Sequence, residues 1–412
     1  MNSKRLLERF LQYVQVDTTA VEEADCYPSS QGQIELGKII AEQLREMGVS
    51  EVSQNEHGIV LATLPASAGK ENASVVAFNA HLDTSPETSG NGVKPNVIEN
   101  FDGKDIQLTG DPSKTIAVAT CPELTTAAGK TIVTTDGTTL LGGDDKAGVA
   151  IMMELARTLL EDPAIPHGPV RLLFTCDEEI GKGVDHVSLE WVDAAVCYTF
   201  DGGGQNDVDG ETFSADAATI TFTGVNIHPA LAKDKMVNSI RAAGRFIDSM
   251  PPELSPERTD GRDGFFHPYV LEGGVAQSTL KVLLRDFETA KLADYAETLN
   301  KIARDVESEM AGVKVSVEIR KQYRNMADGL VNEPRAVEFA VQAHENLGRT
   351  ANRSIIRGGT DGSQLTEMGL PTPNLSSGQH NIHSPLEWVC LEEMVAAGEV
   401  GIELLKLWAE AE

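Results

Sequence analysis

An α/β fold with a mainly parallel core, interrupted by a smaller α+β unit, is predicted by three features of the sequence. Strand-like apolar runs alternate with helix-period segments through the first half of the chain, the order that builds a parallel sheet covered by helices. Near Glu211 this order gives way to strands and helices arranged as for an open sheet with two helices on one face. From about Leu330 the alternation resumes and runs to the C-terminus. The expected division is residues 1–212 together with 329–412 for the larger unit, and 213–328 for the inserted one.

The elements follow in order. In "MNSKRLLERFLQYV", Leu6, Leu7, Phe10, Leu11 and Val14 recur at helical spacing, and Glu8 and Arg9 break any apolar stretch. This is an amphipathic helix rather than a secretion signal. "QIELGKIIAEQLREMG" repeats the helical period and stops at Gly48, a residue suited to a helix C-terminus. "GIVLATL" and "SVVAFNA" read as strands, the second ending at His81. The polar stretch between Asp83 and Asp144, rich in Gly, Pro, Asp and Thr, is too long for a bare loop and reads as a hairpin-bearing insertion. The helix "AGVAIMMELARTLLE" and the strands "VRLLFT" and "AAVCYTF" complete the first half. The inserted unit offers strands at "ATITFTG", "STLKVLLRDF" and "VKVSVEI", and helices over "MVNSIRAAGRFIDSM" and "LADYAETLNKIARDVESEM".

With 41% hydrophobic and 24% charged residues, the composition is that of an ordinary globular protein. The net charge of −29 argues against a nucleic-acid or anionic-membrane partner. Five scattered cysteines without a C-x-x-C pair fit reduced thiols in a cytoplasm. No apolar run approaches the length of a membrane span. A cytoplasmic protein is expected.

Chemistry is concentrated at strand ends, where open α/β sheets gather their ligands. "NAHLDT" places His81 and Asp83 past one strand, and "LLGGDDKAG" places Asp144 and Asp145 before a helix. "TCDEEIG" puts Asp177, Glu178 and Glu179 after the next strand, and "TFDGGG" puts Asp201 after another. "GQHNIHSPLEWV" adds His380 and His383 before the last helix. Taken singly, each has a plainer reading: Asp144 as a helix cap, Asp201 as a turn residue, His383 as a surface histidine. Glu178 and Glu179 resist one, because adjacent carboxylates at a buried strand repel each other unless a cation lies between them. Together the set offers oxygen and imidazole ligands with no thiolate, which suits zinc, cobalt or manganese in an open catalytic site.

The ordered series "HLDTSP", "LLGGDDKAG", "DEEIGKG", "TFDGGG", "IHPALAKDKMVNS", "IRGGTDGSQL" and "NIHSPLEWV" resembles the co-catalytic zinc exopeptidase and aminoacylase family over essentially the full length. The insertion with "VKPNVIENFDGKDI" is similar to that of its cytoplasmic aminotripeptidase branch. The resemblance implies two Zn²⁺ per subunit, with Co²⁺ or Mn²⁺ as substitutes: His81 and Asp201 on one ion, Glu179 and His383 on the other, and Asp144 bridging both. Asp83 would accept a hydrogen bond from His81, and Glu178 would be the general base. His228, on the inserted unit, would stabilise the oxyanion, making that unit a lid or dimerisation domain.

The resemblance further implies that Arg285 binds the substrate carboxylate with Asn238 beside it, while Arg357 offers an alternative clamp from the larger unit. A surface salt bridge is the plainer role for each arginine. Asp177 has no assigned role and is expected in a solvated or capping position; a turn at Glu178–Glu179 is expected to rely on Gly181 and Gly183. His380 stands where the family pattern has an aromatic, and spacing favours His383 as the ligand. The implied activity is removal of the N-terminal residue from tripeptides, with short peptides as substrates and a homodimer compatible with the pattern. A dipeptidase, carboxypeptidase or N-acyl-amino-acid deacylase shares the metal chemistry, and a non-catalytic metal-binding scaffold would have no use for Glu178.

Overall fold

Strands in the larger unit form where branched and aromatic residues are buried on both faces, as in Val76–His81 and Val170–Thr175. The computed structural model describes residues 1–411 and contains two units. The larger comprises Met1–Gly210, Gly329–Ile355 and Thr360–Glu412. Its sheet runs in the order Glu51–Gln54, Val60–Leu64, Val170–Thr175, Val76–His81, Val196–Gly203, Asn374–His380, Trp388–Cys390, Ile132–Thr134, Asn96–Ile98. The four strands from Val170–Thr175 to Asn374–His380 are parallel, and the flanking pairs on this path are antiparallel. The parallel core thus carries antiparallel margins, one of them the edge strand Glu51–Gln54 that the hydrophobic pattern did not mark.

Close packing holds helices to this sheet. Helix Gly143–Glu161 is buried along most of its length, and a Cβ at Gly148 would lie 2.2 Å from the Phe200 carbonyl. Helix Leu391–Glu410 approaches as closely at Gly401, where a Cβ would meet Leu155 at 2.8 Å and Phe200 at 2.9 Å. The N-terminal helix Ser3–Tyr13 buries Leu6, Phe10 and Tyr13, and its Arg5 and Arg9 both pair with the buried Glu154. The long segment after Asp83 contributes Asn96–Ile98 and Ile132–Thr134 to the sheet edge and a hairpin of Ile106–Gln107 with Thr115–Ile116. Phe101, Leu108, Leu124 and Trp388 give it a small core of its own.

The second unit comprises Glu211–Asp328 and Ile356–Gly359. Its antiparallel sheet has the order Phe265–Gly274, Gln277–Asp286, Ser214–Thr223, Lys314–Tyr323. Alternation along Gln277–Asp286 buries Leu280, Val282 and Leu284, which join Phe246 of helix Ser239–Asp248 and Leu299 and Val306 of helix Lys291–Glu309. The strand Phe265–Gly274 escaped the sequence pattern because most of its residues are only half-buried or exposed. Among the described residues, no helix is long and apolar enough to cross a membrane.

Candidate metal centre

Five side chains from separate segments of the larger unit converge beyond the ends of its parallel strands. His81 ends Val76–His81, and Asp201 lies near the end of Val196–Gly203. Asp144 opens helix Gly143–Glu161 with non-helical φ −79° and ψ 104°, and its peptide bond to Asp145 is cis. Glu178 and Glu179 lie in a 3₁₀ turn, Glu178–Ile180, bracketed by left-handed Asp177 (φ 62°) and Gly181 (φ 70°). His383 is itself left-handed, at φ 62°.

The two oxygens of Asp144 divide between two clusters. Oδ1 is 2.9 Å from His81 Nε2, which is also 3.8 Å from Asp201 Oδ1. Oδ2 is 3.2 Å from His383 Nε2, which lies 2.9 Å from Glu179 Oε2. Within each cluster the candidate ligand atoms all fall within 4.8 Å of one another.

Electrostatics argue that these groups fit cations. Burial pushes Asp201 well above the ordinary carboxylate range, reinforced by Asp144 and Glu179. Glu178 is also raised by burial and by Asp201, Asp361 and Glu179, with His81 pulling the other way. Burial and Asp144 raise Glu179 to about 7. Burial works against the charged form of Asp144 too, yet hydrogen bonds with His383 and His81 hold it well below its usual range. His383 is raised to about 11, against the effect of burial, by Asp144 and Glu179. The three cluster acids have only these two imidazoles as ion-pair partners among the described residues. Glu179 Oε1 is buried with no hydrogen-bond partner, so it has an unused lone pair. Acids in excess, imidazole nitrogens directed at them and an orphaned carboxylate oxygen form a donor set for two divalent ions.

Surrounding groups hold the candidate ligands. His81 Nδ1 faces the Asp83 carbonyl at 3.1 Å and its carboxylate at 3.4 Å; a proton there leaves the Nε2 lone pair for a metal. The Asp83 carboxylate makes its closer bonds to the backbone N–H groups of Glu178 and Glu179, at 3.1 and 3.0 Å. Asp83 therefore steadies the Glu178–Glu179 turn as well as the imidazole. His383 Nδ1 lies 3.3 Å from Glu87, and its carbonyl accepts a bond from Thr88 Oγ1. Gln379 donates to the carbonyl and carboxylate of Asp201. Glu87 and Thr88 had no motif to single them out, and Gln379 stood in "GQHNIHSPLEWV" without a role of its own.

Three expectations need correction. Asp177 is not solvated: it stands at the N-cap position of Glu178–Ile180, but its side chain makes no capping bond and is fully buried, accepting bonds from Ser29 N at 2.6 Å, Ser29 Oγ at 2.5 Å and Gln33 Nε2 at 2.6 Å. Asp177→Ala, which strands these buried donors, is expected to cost about 1–3 kcal/mol of stability, measured by denaturant unfolding. Gly183 does not serve the turn; a Cβ there would stand 1.8 Å from Asp361 Oδ1, so glycine is required by close approach. Arg357 belongs to the second unit, where it donates to the carbonyls of Gly261 and Asp263 and to Thr259 Oγ1, and lies over the Phe213 ring. The expected placement in the larger unit is therefore what fails.

His228, Asn238 and Arg285 also lie in the second unit. His228 is exposed, its Nδ1 accepting from Ala230 N at 3.2 Å. Asn238 caps helix Ser239–Asp248 through bonds from Ile240 N and Arg241 N. Arg285 is 9% exposed, donates to the Asp216 and Leu284 carbonyls and lies 5.5 Å over the Tyr323 ring. His380, in the larger unit, is not part of either cluster; it stacks on Trp388 at 3.9 Å and pairs with Glu393.

Residues 135–407 match the profile of peptidase family M20/M25/M40. The chain is 42% identical over 409 residues to peptidase T of Listeria welshimeri, covering 99% of this chain and all of the relative. Among solved structures, aminopeptidase PepT from Bacillus cereus matches over the whole of both chains with TM-score 0.77 and 27% identity. The YXEP protein of Bacillus subtilis, a dinuclear metal-binding peptidase of the M20 family, shares the fold at TM-score 0.68 and 16% identity, covering 100% of this chain and 99% of its own.

Proposed function

This chain belongs to peptidase family M20/M25/M40, and from that premise we propose that it is a metal-dependent aminopeptidase releasing the N-terminal residue of tripeptides. The observation that carries the reading is the division of the Asp144 oxygens between the two histidine-bearing clusters. In this assignment His81 and Asp201 would hold one ion, Glu179 and His383 would hold the other, and Asp144 would offer an oxygen to each. Zinc fits the mixed imidazole and carboxylate set, with cobalt or manganese as alternatives. Bound divalent ions supply Lewis acidity and make water acidic enough to attack at neutral pH.

The chain's own residues manage the proton. Glu178, adjoining the ligand Glu179 but outside both clusters, takes a proton from the attacking water as the carbon–oxygen bond forms. It returns that proton to the leaving nitrogen as the carbon–nitrogen bond breaks, so one water is consumed and one amine released. Asp83 holds the turn that presents Glu178. On the resemblance of their motifs, His228 is assigned to the oxyanion and Arg285, with Asn238, to the peptide's carboxylate. Five scattered cysteines without a C-x-x-C pair support a cytoplasmic location, and a homodimer is compatible with this reading.

Substrate choice tests this reading. Tri-Ala should be hydrolysed well, di-Ala and N-acetyl-Ala poorly, and chelation should abolish turnover until zinc, cobalt or manganese is restored. Preference for N-acetyl-Ala, or full activity after complete removal of metal, would overturn it.

A further inference from the structure

We propose that Glu387 is a positioning residue: its carboxylate locks the backbone that presents Asp144 to the segment that carries His383, and so sets the affinity of the centre for metal. This rests on the metal-centre reading above.

Glu387 is 1% exposed, a place where an unpaired carboxylate would be costly. It is fully engaged, but with backbone alone. Oε2 accepts from Leu141 N at 2.7 Å and Gly142 N at 2.8 Å, and Oε1 accepts from Asp144 N at 3.0 Å. These amides lie in and just before the non-helical stretch through Asp144 and Asp145 that leads into the regular turns of helix Gly143–Glu161. Two glycines make the approach feasible. Gly142 is left-handed at φ 83°, and a Cβ at Gly143 would lie 3.1 Å from Glu387 Oε1.

The other end of the latch is the His383 loop. Glu387 N donates to Ser384 O at 3.2 Å, closing a turn directly after His383. One side chain therefore joins segments 243 residues apart, each carrying a ligand of the second cluster. Asp144 belongs to both clusters, so an error in its backbone propagates to both ions.

Glu387→Gln tests the assignment, because an amide has one acceptor oxygen and one donor group. However it is turned, its NH₂ faces either Asp144 N–H or the Leu141 and Gly142 pair. Zinc affinity is measured by competition with a chromophoric chelator, alongside the thermal midpoint of the chelator-treated protein. Glu154→Gln serves as control: Glu154 is a buried carboxylate of the same helix, paired with Arg5 and Arg9 rather than near a ligand.

Glu387→Gln should weaken binding of both zinc equivalents, by about 10–100-fold. Glu154→Gln should lower the thermal midpoint and leave zinc affinity at the parent value. Parent-like zinc affinity in Glu387→Gln overturns the proposal, as does an equal loss in Glu154→Gln, which would reduce the effect to helix destabilisation. If Glu387→Gln does not fold, Glu387→Asp decides: its shorter carboxylate keeps the charge but cannot reach both sets of amides, and parent-like zinc binding in it overturns the proposal. A parent protein that takes up no zinc overturns the metal-centre reading itself, and this inference with it.

Discussion

Glu178→Ala is expected to retain its full metal content while losing about 10²–10⁴-fold in turnover on tri-Ala, the usual contribution of a positioned general base. The separation of effects is the test. Neither candidate cluster includes Glu178, so removing its carboxylate leaves every proposed ligand in place. The variant should also fold normally. Glu178 is a partly buried acid, and Asp201, Asp361 and Glu179 all oppose its charge, so truncation relieves repulsion. Metal analysis, thermal melting and tripeptide kinetics on one preparation distinguish the cases. Active Glu178→Ala beside inactive Asp145→Ala or Asp177→Ala would show that the proton transfer belongs to another acid.

Asp144→Ala should fail differently, losing both metal ions and activity together. Asp144 is the one residue common to the two clusters, and its loss takes an oxygen from each. The chelator-treated variant should be somewhat less stable than the chelator-treated parent, because the histidines hold Asp144 ionised well below its usual range, but that loss does not bear on the metal. The metal-dependent difference should emerge on adding zinc. A ligand bound only by the folded state stabilises it by about 2.7 kcal/mol at a hundred times its dissociation constant. The parent's melting midpoint should therefore rise with zinc and the variant's should not. A zinc-dependent rise in Asp144→Ala equal to that of the parent would remove Asp144 from the centre.

The legibility of the site in the sequence had a physical basis. His81, Glu179 and Asp201 follow strand runs and Asp144 precedes a helix whose periods can be read locally, and parallel strands bring their carboxyl ends to one side; His383, after the polar strand Asn374–His380, was marked only by its motif. The acidic run after Thr175 signalled that charge had to be compensated at a buried strand end. Its individual acids were less readable. Asp177 and Glu178 are neighbours, yet one is buried against Ser29 and Gln33 while the other lies beside Glu179 in the turn. A left-handed residue at Asp177 separates their directions, and nothing in the local pattern required one there.

The sequence by itself marked most strands and helices, though not Glu51–Gln54 or Phe265–Gly274, and showed which polar residues stand near strand ends in an acidic chain. These are local or compositional properties, written in periods of two and 3.6 residues and in the cost of burying charge. Only the tertiary structure decided that Glu387 reaches the amides around Asp144, that Gly183 must yield space to Asp361, and that Arg357 binds carbonyls in the second unit. Such pairings depend on which surfaces meet after distant segments pack, and a carboxylate that satisfies backbone N–H groups leaves no periodic trace in the chain.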